Sequence, residues 1–581
     1  MPDAQVSPSH VLLRDDAARW ATAPPERTVL AVIHNVTSAT RLLDLLAPFE
    51  GDSRVQVLFT CTGSSAFDAG IREFVAARHL PYVPWEEAKR HKFDLAVSSS
   101  RGGELHAIDA PLIGAPHGAG YNKYLHRTPD TGHRTPDTGH RTPEAFGLDA
   151  EWLTHDGELI PSAVVLSHDE QRERLRRGCP QAVPASVVAG DPCMDTLRAG
   201  LPFRDEYRAA LGLLPRQKLL VLTSTWGRHS LLGADVGLVR RALAELPQDE
   251  YRVLAAVHPN VWYGHGGWQV RAWLAPCLRA GLLLPAPESD VWKAALPAAD
   301  AFIGDHGSLT LYAAALGIPG LLGAFGHDVV ADGSPMELLG AALSHVDAHE
   351  PLERQLRRAV AARAGDERLA RIGDLVTSRP MRAAALLRRL YYTRLRLDEP
   401  ADPAVPRPVP LPLPLPTERR GPGTPPVLVD RRAPVAGGGA LSLRRYPADL
   451  QGARDGHLTD PHVVAAEGEP DARWAHSADV LLARPPAPGE THRTAAARLL
   501  RQYPGCSLVA FTDGEAGCTT HARSGQRTTA TWEAPHNPVY TPAVAASALF
   551  VAATPSNLPA DGLLVDVADG IPPARLAVRQ H

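Results

Sequence analysis

TVLAVIHNVTSATRLLDLLAPF (residues 28–49) is followed at 55–63 by VQVLFTCTG. The first seven residues are almost unbroken in apolar character and end on His34, which reads as a strand buried on both faces. A polar turn, a helix and a second apolar run come next, so the opening is strand, helix, parallel strand. The alternation continues through AFDAGIREFVAARHL (66–80), FDLAVSSS (93–100) and APLIGAPHGAG (110–120). Each strand ends in Gly, Ser, Asn or His. Ligands bind parallel sheets beyond the carboxyl ends of the strands, where these residues collect.

A second series of the same units begins near Ala163: AVVLSH, ASVVAGDPCMDTL, KLLVLTSTWGRHS, YRVLAAVHPN, LLLPAP, AFIGDHGS and PGLLGAFG. The expected fold is α/β, with two Rossmann-like lobes facing a cleft. The expected boundaries are a flexible N-terminus (1–27), a first lobe (28–160) and a second, nucleotide-binding lobe with a helical tail (161–398). A Pro/Gly-rich linker (399–440) and a small α/β domain (441–581) follow. The linker expectation rests on VPRPVPLPLPLPTERRGPGTPP and APVAGGG, a semi-rigid polyproline spacer ending in a flexible piece. Within the first lobe HRTPDTG occurs at 126–132 and again at 133–139. A tandem copy rich in Thr, Pro, Asp and Gly cannot build a core, so 126–143 reads as a surface loop.

Composition narrows the function classes. A net charge of -4 with mixed signs gives no basic patch for nucleic acid. Six cysteines stand without ligand spacing, which argues against a disulfide framework or a zinc site and fits a reducing cytoplasm. No apolar stretch reaches bilayer length, so a soluble protein is expected, with peripheral membrane contact as the membrane association left open. No metal and no cofactor are predicted.

Five motifs sit at strand-to-helix turns. In AFIGDHGSLTLYAAALGIPGLL (301–322) an apolar strand runs through Asp305, His306, Gly307 and Ser308 into a helix. Free N–H groups and the helix dipole there suit a diphosphate, Gly307 permits close approach, and Ser308 can cap or donate. His117, flanked by Pro116 and Gly118, can accept a proton from a hydroxyl near neutral pH. His258 follows a strand in AAVHPN. Thr223, Ser224, Thr225 and Arg228 in TSTWGRHS offer hydroxyls and a forked donor for phosphate. Asp191 and Asp195 in VVAGDPCMDTL read either as site carboxylates or as a turn and helix cap.

Taken in order, these motifs resemble the CDP-glycerol glycerophosphotransferase family of wall teichoic acid polymerases, which has the GT-B fold. PHGAGYNK is similar to that family's WHGTPLK, GDPCMD to GYPRxD, STWGR to PTWR, and GDHGS to TDYSS; a histidine-bearing strand end matches VHPN. The resemblance covers about 110–325. It implies a nucleotide-linked donor and a glycan or polyol-phosphate acceptor, with a role in cell-envelope polymer synthesis. It maps a base onto His117, a ligand of the donor phosphates onto His258, and the phosphate-binding turn onto Asp305 through Ser308. The departures are Gly307 for the first of the paired serines, His306 for an aromatic, and Pro116 and Ala119 beside His117. Glycosyl transfer from a nucleotide sugar is open on the same residues. Two further readings stay open: a sugar-nucleotide epimerase, and an inactive binding or scaffold protein.

Overall fold

The protein is described from a computed structural model. It covers residues 22–65, 70–124, 144–363, 367–415, 425–432, 439–450, 458–514, 516–533, 537–552 and 562–581, with residues 13, 19, 126–127, 134–135 and 365 between them. Most of the expected N-terminal segment and of the tandem repeat lies outside these residues. The repeat contributes one backbone pairing, with His126 opposite Thr135 and Arg127 opposite Arg134.

The first sheet has six parallel strands. In spatial order they are Ser186–Val188, Ala163–Leu166, Leu112–Gly114, Leu95–Ser98, Arg27–Ile33 and Val55–Cys61. Alternate residues of Arg27–Ile33 feed two cores. Val29, Ala31 and Ile33 meet the helix Val36–Leu46 on one face, while Leu30 and Val32 pack with Leu58, Val83 and Phe93 on the other. This double burial is why the strand is an unbroken apolar run. The helix starts at Asn35, whose side chain accepts the Ser38 N–H while Ser38 caps back, so the turn after the strand is fixed locally.

Two strands expected to open the second lobe, in AVVLSH and ASVVAG, instead complete this first sheet, which moves the boundary from 160 to about 190. Their apolar residues Ala163, Val164, Val165 and Leu166 are all buried there. The second sheet has four parallel strands, in spatial order Tyr251–Val257, Lys218–Ser224, Ala301–Gly304 and Gly320–Leu322. Leu219 and Val221 face one core, Leu220 and Leu222 the other. The helical tail then returns to the first lobe. Its last helix, Ala383–Leu395, places Leu387, Tyr391, Tyr392 and Leu395 in the first lobe's core, with Tyr391 stacked on Phe49 at 5.1 Å.

The C-terminal unit, expected as a small α/β domain at 441–581, does combine strands with helices, but its nine strands close into a barrel. It begins at Val427–Arg432, inside the segment expected to be linker, and that strand pairs with Leu441–Pro447. The strands and the helix Pro542–Ala552 share one apolar core, so the interior is filled by protein. The helix expected at HRTAAARLLRQY is present as His492–Gln502, opened by a Thr491–Thr494 capping box. Within 399–415, Arg407 lies 3.3 Å from Glu50 of the first lobe, and Val409 accepts the Tyr207 hydroxyl of the second.

All six cysteines are buried free thiols. No helix among the described residues is long and apolar enough to cross a membrane.

Candidate active site

Each lobe has a point where the chain reverses its direction of growth across the sheet. In the first, Arg27–Ile33 is flanked by Val55–Cys61 and Leu95–Ser98; in the second, Lys218–Ser224 is flanked by Tyr251–Val257 and Ala301–Gly304. The connections from the two adjacent strands leave in opposite directions there and open a crevice at the strands' carboxyl ends. The two crevices face each other across a cavity of about 530 Å³. His117, His258, Arg228, Asp305, His306, Gly307 and Ser308, far apart in the chain, all line it.

His117 stands half-buried on the loop after Leu112–Gly114, its ring 6.2 Å from that of Phe146. Gly118 follows so close to the second lobe that a Cβ on it would lie 2.4 Å from Ser308 Oγ. Gly120 takes φ +76° to turn the chain back, a conformation that favours glycine.

On the facing wall, Asp305 is fully buried and holds the framework together. Its Oδ2 accepts the N–H groups of Thr225 and Leu231, and its Oδ1 that of Gly307, each at 2.8 Å. Burial pushes its carboxyl up to about 6, against those bonds and the charge of Lys123. The Gly307 N–H, expected to face a ligand, is therefore engaged internally. Thr310 and Leu311 donate to Gly307 O, so Ser308 and Leu309 carry the helix-start N–H groups that have no partner among the described residues. The helix Ser308–Ala315 ends at Gly317, φ +83°, with the Ile318 N–H on Ala313 O.

Two second-lobe histidines on the cavity wall, His258 and His306, are held neutral. His258 accepts the Asn260 N–H on Nδ1 at 3.1 Å, so its proton sits on Nε2, 3.4 Å from Thr37 Oγ1 of the other lobe. Burial, then the charge of Lys123, pulls it down to about 3. His306 accepts the Gly326 N–H on Nδ1 at 3.2 Å, and burial pulls it down to about 2. Each presents an Nε2–H donor, suited to holding an anion and unsuited to removing a proton. Arg228 is exposed at the mouth, its Nε 2.8 Å from His229 Nε2.

The hydroxyl run is mostly structural. Thr223 bonds Thr310 at 2.9 Å, and Ser224 accepts the Leu232 N–H. Asp191 is the cap of the helix Pro192–Gly200 and accepts the Tyr312 hydroxyl at 2.8 Å; Asp195 accepts the N–H groups of Met381 and Ala383.

Sequence reading missed three cations on the cavity wall. Arg41 lies over Trp292 at 4.6 Å and donates to Cys193, partners more than 150 residues away that no local pattern reveals. Arg101 is buried beside Tyr121. Lys123 closes the run PHGAGYNK, six residues after His117. With Arg228 they oppose two lining carboxylates, Asp305 and Asp328, which makes a cleft suited to anions. A carboxylate trio that sequence did not disclose, Glu250, Glu353 and Asp569, lies elsewhere. It is interleaved with Arg444, 2.7 Å from Glu250, and Arg432, 3.0 Å from Glu353.

No family model matches the chain, and no curated protein matches it. Among solved structures the chain is similar to the wall teichoic acid polymerase TagF, at 14% identity over 64% of this chain and 89% of that one, TM-score 0.44. It is also similar to the S. aureus MnaA-UDP co-structure (12%, 65% and 99%, TM-score 0.36) and to Anabaena Alr3699/HepE in complex with UDP-glucose (12%, 64% and 100%, TM-score 0.36). At such identities activity has to be read from the residues of the cleft.

Proposed function

We propose that the chain is a GT-B-type transferase using a nucleoside-diphosphate donor, with glycerophosphoryl transfer from CDP-glycerol as the first activity to test. The observation that carries this reading is the composition of the cleft. Unengaged helix-start N–H groups and neutral Nε2–H donors stand on one wall, cations surround them, and a half-buried histidine stands on the other. The donor phosphates would sit at Ser308 and Leu309, with His258, His306 and Arg228 around them. Asp305 and Gly307 would shape the turn without touching the ligand.

His117 would take the proton of the acceptor hydroxyl as its oxygen attacks the phosphorus bearing glycerol. The new O–P bond forms as the bond to cytidine monophosphate breaks, and the cations and N–H groups hold the departing charge. With a nucleotide sugar the same groups would serve attack at the anomeric carbon. The acceptor would be a glycan or polyol phosphate of the cell envelope, met from the cytoplasmic side.

A thermal-shift panel of CDP-glycerol, UDP-sugars and GDP-sugars on the full chain tests this. Stabilisation by a donor is expected, weakened in Ser308→Ala, retained in His117→Ala, with turnover lowered about 10²–10⁴-fold in the latter. Binding of UDP-sugars with no acceptor consumed would move the assignment to an epimerase. No stabilisation by any nucleotide would sink it.

A further inference from the structure

The segment after Gly120 belongs to the first lobe but is hydrogen-bonded to the second. Lys123 forms an antiparallel bridge with Val330, Tyr124 N–H donates to Val329 O at 3.0 Å, and Ala331 N–H donates to Asn122 O at 2.8 Å. The Asp332 N–H adds a bond to the Tyr124 hydroxyl at 3.1 Å. These bonds clasp the lobes along one side of the cavity. The Lys123 side chain points into it, and Nζ donates to Thr225 Oγ1 across the gap at 3.4 Å. No carboxylate among the described residues forms an ion pair with it. The facing groups are Asp305, whose oxygens already accept three N–H groups, and the neutral His258 and His306.

We propose that Lys123 is a trans-lobe ligand of the anion bound at Ser308 and Leu309, and that through the clasp it couples occupancy of the cleft to closure of the lobes. This rests on the nucleoside-diphosphate reading above. Closing the empty cleft strips water from a partly buried ammonium group whose facing carboxylate, Asp305, is already committed to three N–H groups and forms no ion pair with it, which is unfavourable. A diphosphate between Lys123 and the helix start supplies that charge only when the lobes are closed, so binding shifts the population toward the clasped state. Burial already lowers the lysine's proton affinity, with Asp305 opposing. An anion brought beside it restores that affinity, so binding in alkaline buffer takes up protons at this site.

The test uses the full chain, calorimetric titration with inorganic pyrophosphate, CDP and UDP at about pH 9, near the ordinary lysine range of about 10.4, in two buffers of different ionisation enthalpy. Asp305, His258 and His306 titrate far below that pH. Wild type is expected to bind with proton uptake and with increased exchange protection of the Tyr124 and Ala331 amides. Lys123→Gln should bind about tenfold or more weakly with neither effect, and Lys123→Arg should recover affinity and protection without the uptake. An unchanged ligand-free melting temperature in Lys123→Gln separates ligand loss from misfolding. Wild-type affinity, uptake and protection in Lys123→Gln would overturn the role of Lys123 and leave the donor reading standing. Absence of binding by any probe to wild type would overturn both.

Discussion

Asp305 and His306 are adjacent in the chain and have opposite duties. Asp305 ties the strand end at Thr225 and the turn at Leu231 to the helix start, while His306 anchors Gly326. The histidine makes a testable demand on pH. It is 4% exposed and stays neutral down to about 2 in the fold, while an unfolded chain binds that proton below about 6.5. Its contribution is therefore complete above pH 6.5 and is lost as pH falls toward 2, at about 1.4 kcal/mol per pH unit. Asp191 and Asp305, both raised to about 6 chiefly by burial, act in the opposite direction between about pH 6 and 4. A comparison with His306→Asn, which keeps an acceptor for Gly326, isolates the histidine. The variant should lose about 2 kcal/mol less than wild type between pH 6.5 and 5 in urea unfolding. Identical pH dependence of the two proteins would show that the ring is not buried neutral. Sequence disclosed this turn as a candidate site because strand, Gly and helix are contiguous. It could not disclose which N–H groups Asp305 takes, since Thr225 and Leu231 reach it only through the folded sheet.

At the scale of elements, the narrowest joint is between the loop bearing Gly118 and the helix Ser308–Ala315. A methyl group at 118 would meet Ser308 Oγ at 2.4 Å and Ser308 Cβ at 3.3 Å. Overpacking of this kind costs about 1–3 kcal/mol, and here it wedges lobes apart. Gly118→Ala is expected to weaken donor binding about 5- to 100-fold with little change in the ligand-free melting temperature. Ser308→Gly should restore part of the loss in the double variant, beyond what the two single changes predict. Strict additivity in titrations of the four proteins would mean that the lobes do not close on this contact. The strand-turn-helix grammar of both lobes was legible, but the ownership of 163–188 was not. Ala163–Leu166 is apolar on both faces whichever sheet it joins, and membership is decided by pairing with Ile113 and Gly114, some fifty residues earlier. The barrel was hidden for a related reason: its closure depends on pairs such as Leu441 with Val565.

At the scale of the whole molecule, the barrel stands at the far end of the second sheet from the cleft. Arg445 forks onto Asp249 at 2.8 and 2.7 Å and Arg216 bonds Gly570, all beside the first residues of Lys218–Ser224 and Tyr251–Val257. The cleft lies beyond the last residues of the same strands, seven residues or about 20 Å away. Asp249→Ala leaves Arg445 without its carboxylate and should cost about 3 kcal/mol of barrel docking. Amides at the seam, such as that of Gln248, which donates to Arg445 O, should then exchange faster, while donor affinity stays within about twofold of wild type. A large loss of affinity would show that the barrel acts on the cleft.

The burial of every cysteine has a practical corollary for these experiments. Thiol-reactive dyes have no ready native target on the folded surface. Cysteines introduced singly on each lobe could therefore carry a fluorophore pair in the otherwise unaltered chain, and the distance between the dyes would report lobe opening and closing directly, molecule by molecule.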